Sequence, residues 1–126
     1  MISTKKVLIC DDELYILEAV QCVVRRAGFE PLLAQDGDEA LAVTQKEKPA
    51  MIILDIMMPK KDGFEVCRLL KGSSDTKNIY IIILTARGYD TDYSMSIQCG
   101  ANEFFTKPFS PRKLQQRLCE ILNSNN

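Results

Sequence analysis

The stretch MIILDIMMPKKDGFEV, residues 51–66, decides the fold. Its first four residues are continuously apolar and the fifth is Asp55. A short apolar run without alternation describes a strand buried on both faces, the signature of a parallel sheet covered by helices. A carboxylate at the end of such a strand is costly unless something pairs with it. Asp55 therefore either has a structural partner or is held ready for chemistry.

Outward from this strand, short apolar runs alternate with segments of helical period. Toward the amino end lie a strand at 6–10 (KVLIC), a helix at 13–27 with Leu14, Leu17, Val20 and Val24 on one face, a strand at 31–34 (PLLA) and a helix at 37–47. Gly28 stands where a helix-ending glycine is expected. Toward the carboxyl end lie a helix at 63–71, a polar loop at 72–77, the strand 80–84 (YIIIL), a helix at 90–99, a strand at 103–105 and a final helix at 111–122. Leu114, Leu118, Ile121 and Leu122 give the last helix its buried stripe. The helix at 90–99 is the weakest, because Thr91, Ser94 and Ser96 lower both its propensity and its amphipathicity. Five strand-then-helix units predict a doubly wound α/β domain, (βα)5, with the flavodoxin-like parallel strand order 2-1-3-4-5.

With 126 residues, 46% of them hydrophobic, the chain is expected to form one domain over 1–126 with its core at about 5–122. A net charge of -1 and scattered Lys and Arg give no footprint for direct nucleic-acid binding. No apolar run reaches membrane-spanning length and no signal peptide is evident, so a cytoplasmic location away from the membrane is expected. The five cysteines never form C-x-x-C and read as small buried hydrophobes in a reducing compartment. The chain has no histidine, which removes Ser-His-Asp and Cys-His catalysis, a phosphohistidine role and most zinc sites.

In an open parallel sheet, sites form at the carboxyl ends of the strands. After the first strand come Asp11 and Asp12, at the end of the third Asp55, just past the fourth Thr85 and after the fifth Lys107. The second strand ends in Ala34 and Gln35, which suits an edge position outside the site. Two carboxylates about 4 Å apart repel by roughly 4 kcal/mol at an effective dielectric of about 20, so three must protonate, splay apart or bind a cation. An all-oxygen set selects a hard divalent ion, and a small open site favours Mg2+. A carboxylate nucleophile with a positioned ammonium and a hydroxyl is what phosphoryl transfer requires, and Asp55 needs no general base because it ionises by itself. Blander readings stand beside this one. Asp11 or Asp12 could cap the helix that follows, Thr85 could simply end a strand, and Lys107 could be a solvated charge.

The stretches ICDDE (9–13), ILDIMMPKKDG (53–63), LTA (84–86) and GANEFFTKPF (100–109), in this order and spacing, resemble the receiver domain of bacterial two-component response regulators. The resemblance covers the chain from about residue 5 to 122. It implies phosphorylation of Asp55 from the phosphohistidine of a sensor histidine kinase or a histidine phosphotransfer protein, with the chain catalysing both this step and its reversal by hydrolysis. It further implies Mg2+ held by Asp12, Asp55 and the backbone carbonyl of Met57, with Asp11 acting through a bound water. Lys107 matches the lysine that pairs with the phosphoryl group, Thr85 the switch hydroxyl and Ala86 the small residue beside it. Phe104 stands at the switch aromatic, where tyrosine is commoner, and the Lys107–Pro108 bond is expected to be cis.

The output implied is a downstream protein or a fused output domain, reached through a surface made by the helix 90–99, the fifth strand and the last helix. The same surface would serve a monomer or weak dimer. Tyr93 and Asn102 replace the arginine and aspartate of dimerising winged-helix receivers, so that dimer does not carry over. Two other readings stay open. One is a receiver-like module that binds partners without phosphorylation. The other is a phosphatase using an aspartyl-phosphate, which usually has a second Asp where this chain has Met57.

Overall fold

Strands β1 (Lys6–Cys10), β2 (Glu30–Ala34), β3 (Met51–Asp55), β4 (Tyr80–Thr85) and β5 (Glu103–Thr106) build one parallel sheet in the order β2-β1-β3-β4-β5. The computed structural model describes residues 5–85 and 98–123. The expected helix at 90–99, with Tyr93, and the neighbouring Ala86 lie outside the described residues or at their edge. Among the described residues the helices are α1 (Leu14–Arg26), α2 (Gly37–Glu47), α3 (Gly63–Lys71) and α4 (Pro111–Asn123).

The apolar strands divide their side chains between two cores because successive residues point to opposite faces. Leu8, Ile52, Leu54, Ile81 and Ile83 pack with Ala40 of α2 and Val66, Cys67 and Leu70 of α3. Val7, Ile9, Ile53, Ile82 and Leu84 pack on the other face with Leu17 and Val20 of α1 and Leu114 and Leu118 of α4. Both faces are thereby covered, which is why β3 contains no polar residue before Asp55. Pro31 is accommodated because β2 is an edge strand with one open side.

Several boundaries and burial assignments differ from expectation. Thr85 is the last residue of β4 rather than a residue beyond it, and pairs in register with Thr106. Leu14 does not join the buried stripe of α1: it is 63% exposed, because the first turn of the helix overhangs the carboxyl edge of the sheet. The N-cap of α1 is Glu13, without a side-chain cap bond, so neither Asp11 nor Asp12 is the cap residue. Phe104, Phe105 and Phe109 are half-buried and pack against the two cores. Cys22 is exposed and Cys119 half-buried, whereas Cys10, Cys67 and Cys99 are buried as expected.

The loop from Asp55 into α3 is held locally. Gly63 donates its N–H to the Ile56 carbonyl at 2.9 Å, and Asp62 caps α3 by accepting from the Glu65 N–H at 2.9 Å. Asp62→Ala should therefore lower stability by about 1 kcal/mol in denaturant unfolding, the usual effect of losing a cap. An unchanged midpoint would show that water replaces the cap at no cost.

Candidate functional site

Strand register places the chemistry. Cys10 pairs with Leu54, Asp55 with Leu84, and Thr85 with Thr106, so the residues at or just past these positions emerge along one edge of the sheet. Asp11, Asp12, Asp55, Thr85 and Lys107 all reach this edge. β2 ends beside β1 at Ala34, outside the group.

The partner of Asp55 is Lys107. Lys107 Nζ lies 3.0 Å from Asp55 Oδ1 and 3.1 Å from Asp11 Oδ2, and 3.7 Å from Glu13 Oε1. Asp11 also accepts the Glu13 N–H through Oδ1 at 3.0 Å, which orients its second oxygen to the lysine. Asp11 is fully buried and Asp55 nearly so, while Asp12 is exposed at the mouth. One carboxylate oxygen from each of Asp11, Asp12 and Asp55 lies within 4.8 Å of the others. A single ammonium cannot balance three carboxylates, so the cluster keeps negative charge and is suited to a divalent cation with oxygen ligands. Met57 is on the adjacent loop, with its side chain 71% exposed.

Burial pushes the Asp55 carboxyl up to about 6, the charge of Asp11 adds to the effect, and Lys107 opposes it. Burial also raises Asp11, against hydrogen bonds from the Glu13 N–H and Lys107. Burial acts against the charge of Lys107, but its hydrogen bonds to Asp55 and Asp11 prevail and raise its pKa. The three groups are thus mutually dependent: the lysine stays charged because the carboxylates face it, and they ionise with more difficulty than exposed acids.

Asp12, Asp55, Met57, Thr85 and Lys107 line a cleft of about 880 Å³. Thr85 is 1% exposed, and its carbonyl accepts the Lys107 N–H, tying β4 to the lysine's own backbone. The Lys107–Pro108 peptide is cis, as the resemblance implies. Phe104 does not line the cleft; it sits on β5 against the core shared with α2 and α3.

Sequence reasoning missed the other wall of the cleft. Tyr15, Ile16 and Ala19 from the start of α1, with Pro108, Phe109 and Pro111, make it largely apolar. The available signal was Tyr15, a large aromatic residue two positions past the acidic run 11–13 at the end of the first strand. Asn102, considered only as a substitution in a dimer surface, instead accepts from Lys71 Nζ and the Ile81 N–H through Oδ1, both at 2.8 Å.

Comparison with known proteins agrees with the geometry. The family model of the response regulator receiver domain matches residues 7–119. The alkaline phosphatase synthesis transcriptional regulatory protein PhoP of Bacillus subtilis is 41% identical over 119 residues, covering 94% of this chain and 48% of that protein. The phosphate regulon transcriptional regulatory protein PhoB of Pseudomonas aeruginosa is 42% identical over 118 residues, covering 94% of this chain and 52% of that protein. The chain thus spans about half the length of these curated relatives. Among solved structures, the chemotaxis response regulator CheY4 of Vibrio cholerae superposes with a TM-score of 0.88 at 34% identity, covering 94% of this chain and 99% of that one. With its sheet order, the carboxylates and lysine at the carboxyl edge and these likenesses agreeing, the chain belongs to the response regulator receiver domain family of two-component systems.

Proposed function

We propose that this receiver is phosphorylated on Asp55 by a phosphohistidine donor, either a sensor histidine kinase or a histidine phosphotransfer protein, and that the aspartyl-phosphate switches a protein-interaction surface. The observation that carries this reading is the buried Asp55 carboxylate, 3.0 Å from Lys107 and within 4.8 Å of two further carboxylates, at the floor of an open cleft. An isolated structural ion pair needs neither the extra carboxylates nor access.

Asp55 attacks the phosphorus of the phosphoimidazole through a carboxylate oxygen; the new O–P bond forms as the P–N bond breaks, and the imidazole leaves with a proton from solvent. Lys107 and the Thr85 hydroxyl are placed to donate to the phosphoryl oxygens as charge gathers on them. Asp11, Asp12 and Asp55, with the Met57 carbonyl, would hold Mg2+, Asp11 through a water, and the carboxylate cluster fits such an ion. Bound there, Mg2+ supplies charge neutralisation for the phosphoryl oxygens and the acidic cluster. Hydrolysis of the acyl phosphate at the same cleft resets the switch.

The response follows from the electrostatics of the site. Phosphorylation adds charge where Lys107 now bridges Asp11 and Asp55, so Lys107 and Thr85 are drawn to the new group. Phe104 on the adjoining strand responds, changing the surface of β5 and α4. The reader of that surface is a separate protein or a fused output domain; the chain spans about half the length of the transcriptional regulatory proteins PhoP and PhoB. The domain is expected to work in the cytoplasm, as a monomer or weak dimer.

Intact mass after incubation with acetyl phosphate, with and without Mg2+, tests the chemistry. One phosphoryl adduct is expected with Mg2+, none without it, and none in Asp55→Asn. Lys107→Ala should cut adduct formation by at least about tenfold, the effect of a lost charged donor worth more than about 1.4 kcal/mol in the transition state. An adduct that persists in Asp55→Asn would place the acceptor elsewhere. No adduct under any condition would favour a module that binds its partner without phosphorylation.

A further inference from the structure

Cys67 and Cys99 are separated by 32 positions in sequence, yet both belong to the core beneath α3. Cys67 is fully buried on the inner face of α3 and directs its thiol at the Cys99 carbonyl oxygen, 3.5 Å away. The two thiols are also within hydrogen-bonding reach of each other. Cys99 lies at the turn leading into β5, 7% exposed, between the exposed residues Gln98 and Gly100. Cys99 thus keeps a slight exposure to solvent, whereas Cys67 has none.

The surroundings are built for more than packing. Lys71, one turn after Cys67 on α3, is fixed by three hydrogen bonds from Nζ, to the carbonyls of Lys77 and Ile79 and to Asn102 Oδ1. Gly100, with φ of 91°, lets the turn lie flat on the Lys71 side chain, and a Cβ at Gly100 would be 3.1 Å from Lys71 Cγ. The fixed ammonium is within electrostatic range of both sulfurs. Its charge favours a thiolate at Cys67, while at Cys99 the neighbouring Cys67 thiol and the Ala101 N–H favour one against burial and the charge of Asp62. The Cys67 thiol is pushed the other way by its bond to Cys99 and by burial. Cys99, the more accessible of the two, is placed to attack, and the enclosed Cys67 to resolve, an arrangement that neither Cys10 in the core nor Cys22 on the surface shares.

We propose that Cys67 and Cys99 form a redox-active dithiol that a peroxide converts to a disulfide joining α3 to the turn before β5. The Cys99 thiolate attacks a peroxide oxygen; the O–O bond breaks, leaving Cys99 sulfenic acid and a hydroxide or alkoxide that takes up a proton. The Cys67 sulfur then attacks the Cys99 sulfur; the S–S bond forms, the S–O bond breaks, and water leaves with the Cys67 proton. Two thiols lose two electrons and the peroxide gains them. The bond would tie together the segments on either side of β4, the strand that ends in Thr85.

The test is independent of phosphorylation. The full chain, fully reduced, is exposed to a small excess of hydrogen peroxide, quenched, denatured and titrated for thiols, and then digested for peptide mapping. The expected result is a fall from five thiols to three, with Cys67 and Cys99 recovered in one cross-linked peptide that a reductant separates. Cys67→Ala and, independently, Cys99→Ser should each abolish that cross-link, and thermal melts of the reduced variants establish that they fold. Retention of all five thiols, a disulfide between other cysteines, or separate over-oxidation of Cys67 and Cys99 without a link would each overturn the proposal.

Discussion

Asp55→Asn should make the metal-free protein more stable at pH 7.5, by about 1–3 kcal/mol, even though it removes one side of an ion pair. The expectation follows from the direction of the Asp55 shift. Its carboxyl is raised from the ordinary 3.8 to about 6 by burial and by Asp11, more than Lys107 can offset. Below about pH 3 the folded and unfolded chains both hold the proton, and the group is neutral to folding. As pH rises from about 3 through 6 the unfolded chain ionises before the folded one, so the folded state loses stability. Above about pH 6 the penalty is constant, and a two-unit shift corresponds to an upper limit near 3 kcal/mol. Asparagine carries no such penalty, and Lys107 keeps Asp11 at 3.1 Å as its counter-charge. Urea unfolding in EDTA at pH 3 and 7.5 measures the difference, which should vanish at the lower pH. Addition of Mg2+ should narrow the gap at pH 7.5 by stabilising the native chain through binding. A variant no more stable than the parent in EDTA at pH 7.5 would mean that Lys107 fully compensates the burial of Asp55.

Gly63→Ala should be the more damaging change, lowering stability by about 3 kcal/mol or more and disturbing the site as it does so. A Cβ on Gly63 would lie 2.4 Å from the Asp55 carbonyl oxygen and 3.0 Å from the Ile56 Cα, both backbone atoms of the strand end and the loop behind it. Unlike a flexible side chain, those atoms move only if β3 or α3 moves. β3 is central in the sheet, paired with β1 and β4, and α3 is pinned by Val66, Cys67 and Leu70. The strain therefore falls on the 56–62 loop and on the position of Asp55. The overpacking cost belongs to the upper range for core insertions. Denaturant unfolding gives the stability loss, and the rate of adduct formation with acetyl phosphate reports the displacement of the carboxylate. A variant that unfolds at the parent's midpoint would show that the loop has slack which this close approach does not suggest.

Much of the architecture was legible before any coordinates. Five apolar runs without alternation, each followed by a segment of helical period, required a parallel sheet with two covered faces, and the order of the sheet follows from right-handed crossovers. The acidic pair, Asp55, Thr85 and Lys107 were identifiable because each stands at or just past the end of such a run. Burial of individual residues was less legible. Leu14 has the period of the α1 stripe, but whether the first turn lies over the sheet or beyond its edge depends on where β1 stops, which periodicity does not record.

By itself, then, the order of residues determined the strand-helix alternation, the two-sided core and the identity of the groups at the carboxyl edge, since these depend on local period and on rules of chain connection. Tertiary structure alone decided which of those groups meet. Lys107 and Asp11 are 96 positions apart, and their contact is set by the register of β1, β3, β4 and β5 acting together. The same holds for Cys67 with Cys99, and for Asn102, whose amide oxygen joins Lys71 to β4. A pairing across the fold depends on distances that no short stretch contains, because each is the sum of strand offsets and helix lengths along the whole intervening chain.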